Sequence, residues 1–170
     1  MSAVYFNRVE ENTIVFNSLF DVNGNFLGSL YENAIDEATV QGFEVEAEVD
    51  VIEDLSLSAN YTFTELEEGL RLRLPKHRAN ASLGYDFSNK TFASLDIQYV
   101  GKRTDTDFAT FTNRELDAYT LVNLYFSRKL IDNKLKIFAS INNVFNEDFL
   151  EIIGFTTQGR NVSLGLNLKL

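Results

Sequence analysis

The chain carries one histidine, His77, and no cysteine, so any nucleophilic or metal chemistry rests on very few residues. His77 with Glu65, Glu67 and Glu68 is a grouping that could ligate a metal. Zinc wants roughly three or four ligands in fixed geometry, and these flank a loop. The expectation is a strand-entry histidine and no metal. Asp105-Thr106-Asp107 offers the oxygen ligands that calcium prefers but lacks the glycine-containing frame of a calcium loop. An exposed, solvated loop is expected there. No glycine-rich turn leads from a strand into a helix. The residues predict neither an enzyme nor a cofactor.

Two charged groups remain. Arg71, Arg73, Lys76, His77 and Arg78 form a cationic run in an otherwise acidic chain. On an exposed loop such a run can meet lipopolysaccharide phosphates or an anionic ligand through charge-assisted hydrogen bonds. The alternative is a merely solvated loop. Glu44, Glu46, Glu48 and Asp50 recur at every second position. Strand side chains two apart share a face, so these carboxylates repel and call for water or cations. The plausible cations on their side, Arg78, Lys136 and Lys169, are fewer than a narrow interior would need. A wide, wet lumen hosts the acids more easily.

The elements that must carry these groups are strands. In Leu55-Ser56-Leu57-Ser58-Ala59-Asn60-Tyr61-Thr62-Phe63-Thr64, odd positions are apolar and even positions polar, which gives one oily and one wet face. The same alternation runs through the segments beginning near Phe43, Ala79, Ala93, Val122, Leu135 and Val162, with Phe138 an exception. A less regular first strand within Ala3 to Asn17 brings the number to about eight. Tight turns fall at Ile52-Glu53-Asp54, Ser88-Asn89-Lys90 and Ile131-Asp132-Asn133. Longer polar loops span roughly 18–30, 66–76, 103–116 and 146–159. Short turns at one end and long loops at the other are the asymmetry of an outer-membrane barrel.

Composition agrees by exclusion. A formal charge of −10 on 170 residues argues against nucleic acid as a partner. No run of about 18 apolar residues exists to form a membrane helix. The expected fold is all-β: antiparallel, up-and-down transmembrane strands, with tyrosine and phenylalanine near strand ends where a membrane interface would lie. A soluble ligand-carrying barrel would turn the oily face inward, and period alone permits it.

The segment Ile141-Asn142-Asn143-Val144-Phe145-Asn146, followed by Gly159-Arg160-Asn161-Val162, resembles the end of the TonB-dependent outer-membrane receptors. Gln41-Gly42-Phe43-Glu44-Val45-Glu46 and Leu74-Pro75-Lys76-His77-Arg78-Ala79-Asn80 resemble earlier strands of that family, in family order. The motif residues are Asn142, Asn143, Phe145, Asn146, Gly159 and Arg160. The resemblance implies a slice, residues 1–170, of a barrel of about 22 strands, without the plug domain. It implies residence in the cell outer membrane and uptake of a scarce, bulky nutrient such as a ferric siderophore or cobalamin. The implied partners are outer-membrane lipid and lipopolysaccharide, the barrel assembly machinery, and TonB only through the plug. The family ends on an aromatic residue that this machinery reads, whereas Leu170 ends this sequence. The rival reading is a complete eight-stranded outer-membrane barrel with a structural or adhesive role.

Overall fold

The computed structural model describes residues 1–33, 37–66, 72–88, 90–131 and 134–169. Arg71, Glu67, Glu68 and Leu170, with Asn89, Asp132 and Asn133 of the expected turns, lie outside the described residues. Among the described residues, twelve strands follow one another. They are β1 (Ser2–Glu10), β2 (Ile14–Phe20), β3 (Phe26–Asn33), β4 (Ala38–Ile52), β5 (Leu55–Leu66) and β6 (His77–Ser88). After them come β7 (Thr91–Val100), β8 (Arg103–Asp107), β9 (Thr112–Leu116), β10 (Tyr119–Leu130), β11 (Leu135–Asn142) and β12 (Asn161–Leu168).

Eight of these strands make one antiparallel sheet in the order β1-β4-β5-β6-β7-β10-β11-β12. Neighbours in the sheet are successive long strands, so the connections alternate between its two ends. The short ones join β4 to β5, β6 to β7 and β10 to β11 at one end. The four long ones lie at the other, as the sequence predicts. β1 and β12 are outer edges that do not pair with each other, so the sheet stays open. A closed eight-stranded barrel is not formed.

Register turns the alternation of single strands into two continuous faces. Val49, Leu57, Leu83, Leu95, Leu124, Ile141 and Val162 stand opposite one another in a row that crosses from β4 to β12. One residue away, Glu48, Ser58, Ser82, Asp96 and Asn123 form a polar row on the other face. A slip of one residue would exchange the faces. Leu164 and Leu166 are 80% and 70% exposed, so the apolar face has no protein cover. An oily surface of this extent requires a non-aqueous neighbour.

The sequence reading needs correction at the long connections. The first strand is expected as one irregular element within Ala3 to Asn17. Ser2–Glu10 belongs to the main sheet, while Ile14–Phe20 pairs with Phe26–Asn33 in a separate hairpin. The third connection also holds a hairpin, β8 with β9. Asp21 builds the first hairpin's turn, accepting hydrogen bonds from the Asn23 and Asn25 backbone N–H groups at 2.8 Å, and Gly24 supplies a φ of 82°.

Phe138 breaks the alternation for a packing reason. It lies on the polar face opposite Gly165, where a Cβ would fall 2.2 Å from its ring. Glycine at 165 makes room for an aromatic side chain on the next strand. At Gly42 a Cβ would meet the Phe63 carbonyl oxygen at 2.0 Å and the Phe6 ring at 2.6 Å, so the residue clears a close backbone approach as well as a ring.

Two predictions follow from the faces. In bilayer-reconstituted protein, Leu124→Arg should destabilise by about 2–4 kcal/mol in urea unfolding, while Ser140→Arg on the polar face should cost far less. Gly165→Ala should force the Phe138 ring aside and cost about 1–3 kcal/mol in the same assay.

Candidate functional site

The polar face and the loop end beyond it hold the groups with chemical potential. β4 presents Glu44, Glu46, Glu48 and Asp50 on that face, opposite Thr62, Asn60, Ser58 and Ser56 of β5. None of these cross-strand neighbours is a cation. Arg78 stands one strand further on, opposite Thr62. Lys136 lies on β11, with its Nζ 5.6 Å from the centre of the Tyr125 ring, and Lys169 follows β12. The middle of the face is an amide lattice. Asn80 Nδ2 donates to Asn60 Oδ1 at 2.9 Å, Asn142 Nδ2 donates to Asn161 Oδ1 at 3.0 Å, and Ser82 Oγ donates to Asp96 at 2.6 Å. Toward the loop end it opens into a cleft of about 470 Å³ lined by Asn123, Asn142, Asn161, Phe149, Glu151 and Gln158, among others.

The cationic run expected from sequence is dispersed. Arg73 Nε donates to Asp105 Oδ1 at 2.8 Å. Lys76 Nζ lies 2.5 Å from Glu65 and 5.3 Å from the centre of the Phe63 ring. His77 Nδ1 is 2.7 Å from the Tyr61 hydroxyl, and the imidazole packs beside Phe63 on the apolar face. Arg78, one residue on, therefore points to the other face. Strand alternation divides the run between two sides of the sheet. The Glu65 carboxylate and the His77 imidazole are engaged with Lys76 and Tyr61.

Asp105 overturns the expectation of a solvated loop. Its side chain is 0% exposed. Oδ1 accepts from Arg73, and Oδ2 accepts from the backbone N–H of Ile153 at 2.8 Å. One carboxylate thus ties the second, third and fourth long connections together. The Arg73 N–H also donates to the Thr104 carbonyl at 2.7 Å, and Arg73 takes a φ of 63° to do so. Burial alone would raise the Asp105 pKa. The Ile153 N–H, the Arg73 guanidinium and the Thr106 N–H together outweigh it and hold the carboxyl below its ordinary value. Beside it Arg103, also buried, donates to the Leu150 and Asp117 carbonyls and lies 5.1 Å from the centre of the Tyr119 ring. Tyr119 packs against Phe149 at 4.4 Å and donates to Glu151 at 3.1 Å. No sequence signal separates Asp105 or Arg103 from ordinary loop charges, because their partners lie far away in the chain.

The asparagine motif closes the fourth connection. Asn143, 4% exposed, accepts from the Glu147 N–H at 2.8 Å and donates to the Glu147 carbonyl at 2.9 Å. Its own N–H donates to Asn123 Oδ1 at 2.9 Å. Asn146 Oδ1 accepts from the Arg160 N–H at 2.9 Å, and Arg160 Nη1 donates to the Val144 carbonyl at 3.3 Å. A Cβ at Gly159 would lie 2.8 Å from Asn146 Oδ1. Asn143 and Asn146 take φ values of 53° and 56°, a left-handed geometry that asparagine tolerates. The motif is a staple between the two ends of the loop. Phe145 stands 75% exposed beside it.

A family model described as TonB dependent receptor-like, beta-barrel, matches residues 1–144. The chain belongs to the TonB-dependent receptor β-barrel family. The vitamin B12 transporter BtuB of Vibrio cholerae is 30% identical over 159 residues, covering 90% of this chain and 25% of that protein. The iron-regulated outer membrane virulence protein of the same species is 27% identical over 148 residues, covering 81% and 22%. Among solved structures, the Pseudomonas aeruginosa ferripyoverdine receptor shares the fold at a TM-score of 0.75 and 19% identity, over 96% of this chain and 24% of that one. The ferric-catecholate import receptor Fiu of Escherichia coli K12 does so at 0.73 and 16%, over 98% and 24%. The chain spans about a quarter of the length of these relatives.

The latch makes a pH prediction with a fixed sign. A carboxyl held below its unfolded value stabilises above the unfolded pKa, about 3.9, and loses that contribution as pH falls through the folded one. Amide exchange at Ile153 should stay slow at pH 5 and accelerate only in stronger acid. Asp105→Asn should remove that acid transition and leave exchange on β5 and β6 unchanged.

Proposed function

We propose that residues 1–170 form the C-terminal part of the barrel wall of a TonB-dependent receptor in the outer membrane, with its long connections outside the cell. The single observation that carries the reading is the open eight-stranded sheet, oily on one face and lined with amides and carboxylates on the other, in a member of this family. An open sheet of this kind suits a segment of a wide barrel, because every edge in hydrocarbon must be paired. The receptor takes up a scarce, bulky nutrient of the ferric siderophore or cobalamin type. The long connections capture it, TonB pulls on a plug domain, and the barrel wall lines the passage.

Each polar group has a place in this scheme. Glu44, Glu46, Glu48 and Asp50 face the lumen, where a wet plug surface supplies the solvent and cations they lack within the sheet. Arg78 shares that lumen. Lys76 and His77, beside Phe63 on the apolar side at the loop end, lie where lipopolysaccharide phosphates meet the barrel. Asn142, Asn143, Asn146, Gly159 and Arg160 act as loop staples, and the barrel assembly machinery inserts the strands.

In cells starved of iron or cobalamin, deleting the reading frame that encodes this chain should abolish uptake of at least one radiolabelled ferric siderophore or of cobalamin. A protonophore should abolish the same uptake in the parent strain. Unchanged accumulation of the whole panel after deletion would contradict the assignment.

A further inference from the structure

We propose that the short-turn end of the polar face docks an acidic, extended segment of a partner protein. Its carboxylates meet a row of lysines, and an apolar side chain sits on the rings behind them. From the outer-membrane reading above this takes only the partner's location, at the periplasmic mouth of the lumen. Lys90, Lys129 and Lys136 form a row across the ends of β7, β10 and β11. The Lys129 N–H donates to the Lys90 carbonyl at 2.7 Å, and Lys129 stands opposite Lys136. Past the ends of β11 and β12, the Lys169 N–H donates to the Lys134 carbonyl at 2.8 Å, which sets a second pair of lysines opposite each other. Strand alternation places Lys129 with Tyr125 and Ser127, and Lys136 with Phe138 and Ser140, on the polar face. Five of the fifteen lysines and arginines thus collect at one rim of a chain whose formal charge is −10.

These charges are not balanced where they stand. Among the described residues, no ion pair includes Lys90, Lys129, Lys134, Lys136 or Lys169. The described acids of the same rim, Asp50, Glu53, Asp54 and Asp86, belong to β4, the turn after it and β6, with Asp86 opposite Phe92. Like charges directly opposite destabilise a sheet, so the pairs Lys129–Lys136 and Lys134–Lys169 carry a cost that an anion would remove. The floor behind the row is apolar. Phe92 and Phe138 flank Ser127, which is 5% exposed, and the Tyr125 ring lies 6.2 Å from each of theirs. Rings on a face otherwise lined with amides and hydroxyls offer an apolar side chain a seat beside the lysines. An extended peptide repeats its side chains on one side about every 7 Å, which suits flexible lysines about 5 Å apart on neighbouring strands. A lipid headgroup is the less suited anion, because the lysines share the face of the amides. Arg128, opposite Ile137 on the leucine face, is the cation of this rim placed for lipid.

The test is fluorescence anisotropy with a fluorescein-labelled peptide of alternating glutamate and serine carrying a central leucine. The full chain, in zwitterionic micelles, is titrated into it. Saturable binding is expected, and a peptide with glutamine in place of glutamate should lose it. Replacing the central leucine by serine should weaken binding several-fold. Combining Lys129→Gln with Lys136→Gln should also weaken it several-fold. Combining Lys102→Gln with Arg114→Gln removes the same charge at the loop end and should leave it unchanged. Circular dichroism should report the same strand content in every variant. Absence of saturable binding, or equal loss in the two double variants, would overturn the proposal. Loss on Arg128→Gln without loss in the lysine pair would place the anion on the leucine face, as a lipid headgroup, and would overturn it as well. Indifference to the central leucine would overturn the part given to the rings. The membrane orientation is read separately in whole cells, with a maleimide too large to cross the outer membrane. Asn23→Cys should react directly, and Lys134→Cys only after permeabilisation. The reverse pattern would contradict the outer-membrane reading and leave the peptide site standing.

Discussion

A backbone N–H or C=O left unpaired in hydrocarbon costs several kcal/mol, and this one penalty constrains the whole sheet. It explains why eight long strands run as sequence neighbours, each satisfied by the next. It also explains why the short connections can be tight, since nothing but a reversal of direction is needed there. The same penalty makes β1 and β12 the informative elements, because among the described residues each has one side that no strand fills. Register adds the second constraint. With Leu95 opposite both Leu83 and Leu124, every apolar residue of that row is committed to one side.

Beyond the membrane strands the energetics change from pairing to local locks. The Asp105 carboxylate joins three connections, and Arg103 with Tyr119 and Phe149 braces them from beside. The asparagine staple draws the ends of the fourth connection together. These contacts hold one part of the loop end, while the first hairpin meets the third connection through the Phe20, Phe26 and Phe111 rings.

Much of the wall was legible because period two is a geometric property of strands. Leu55 to Thr64 announces its two faces without any tertiary information, and the turn at Glu53-Asp54 announces the reversal. The first hairpin also left a signal in Asn23-Gly24, a strong turn dipeptide, but the apolar residues around it do not alternate cleanly. The hairpin around Phe111 has no glycine to mark it. The burial of Asp105 is not legible in the sequence, because it depends on Arg73 and Ile153, which approach only after the sheet has set the loops side by side. The cationic run divides between two faces for a simpler reason: on a strand, His77 and Arg78 must face opposite ways.

The central claim is that the leucine face meets lipid and the amide face meets water. Nitroxide labels placed singly at Ser163 and Leu164 of bilayer-reconstituted protein test it directly by power saturation. Leu164 should be relaxed by oxygen, which concentrates in the acyl chains, and Ser163 by a water-soluble nickel chelate. The opposite pattern, with Ser163 in contact with lipid and Leu164 with the chelate, would contradict the account.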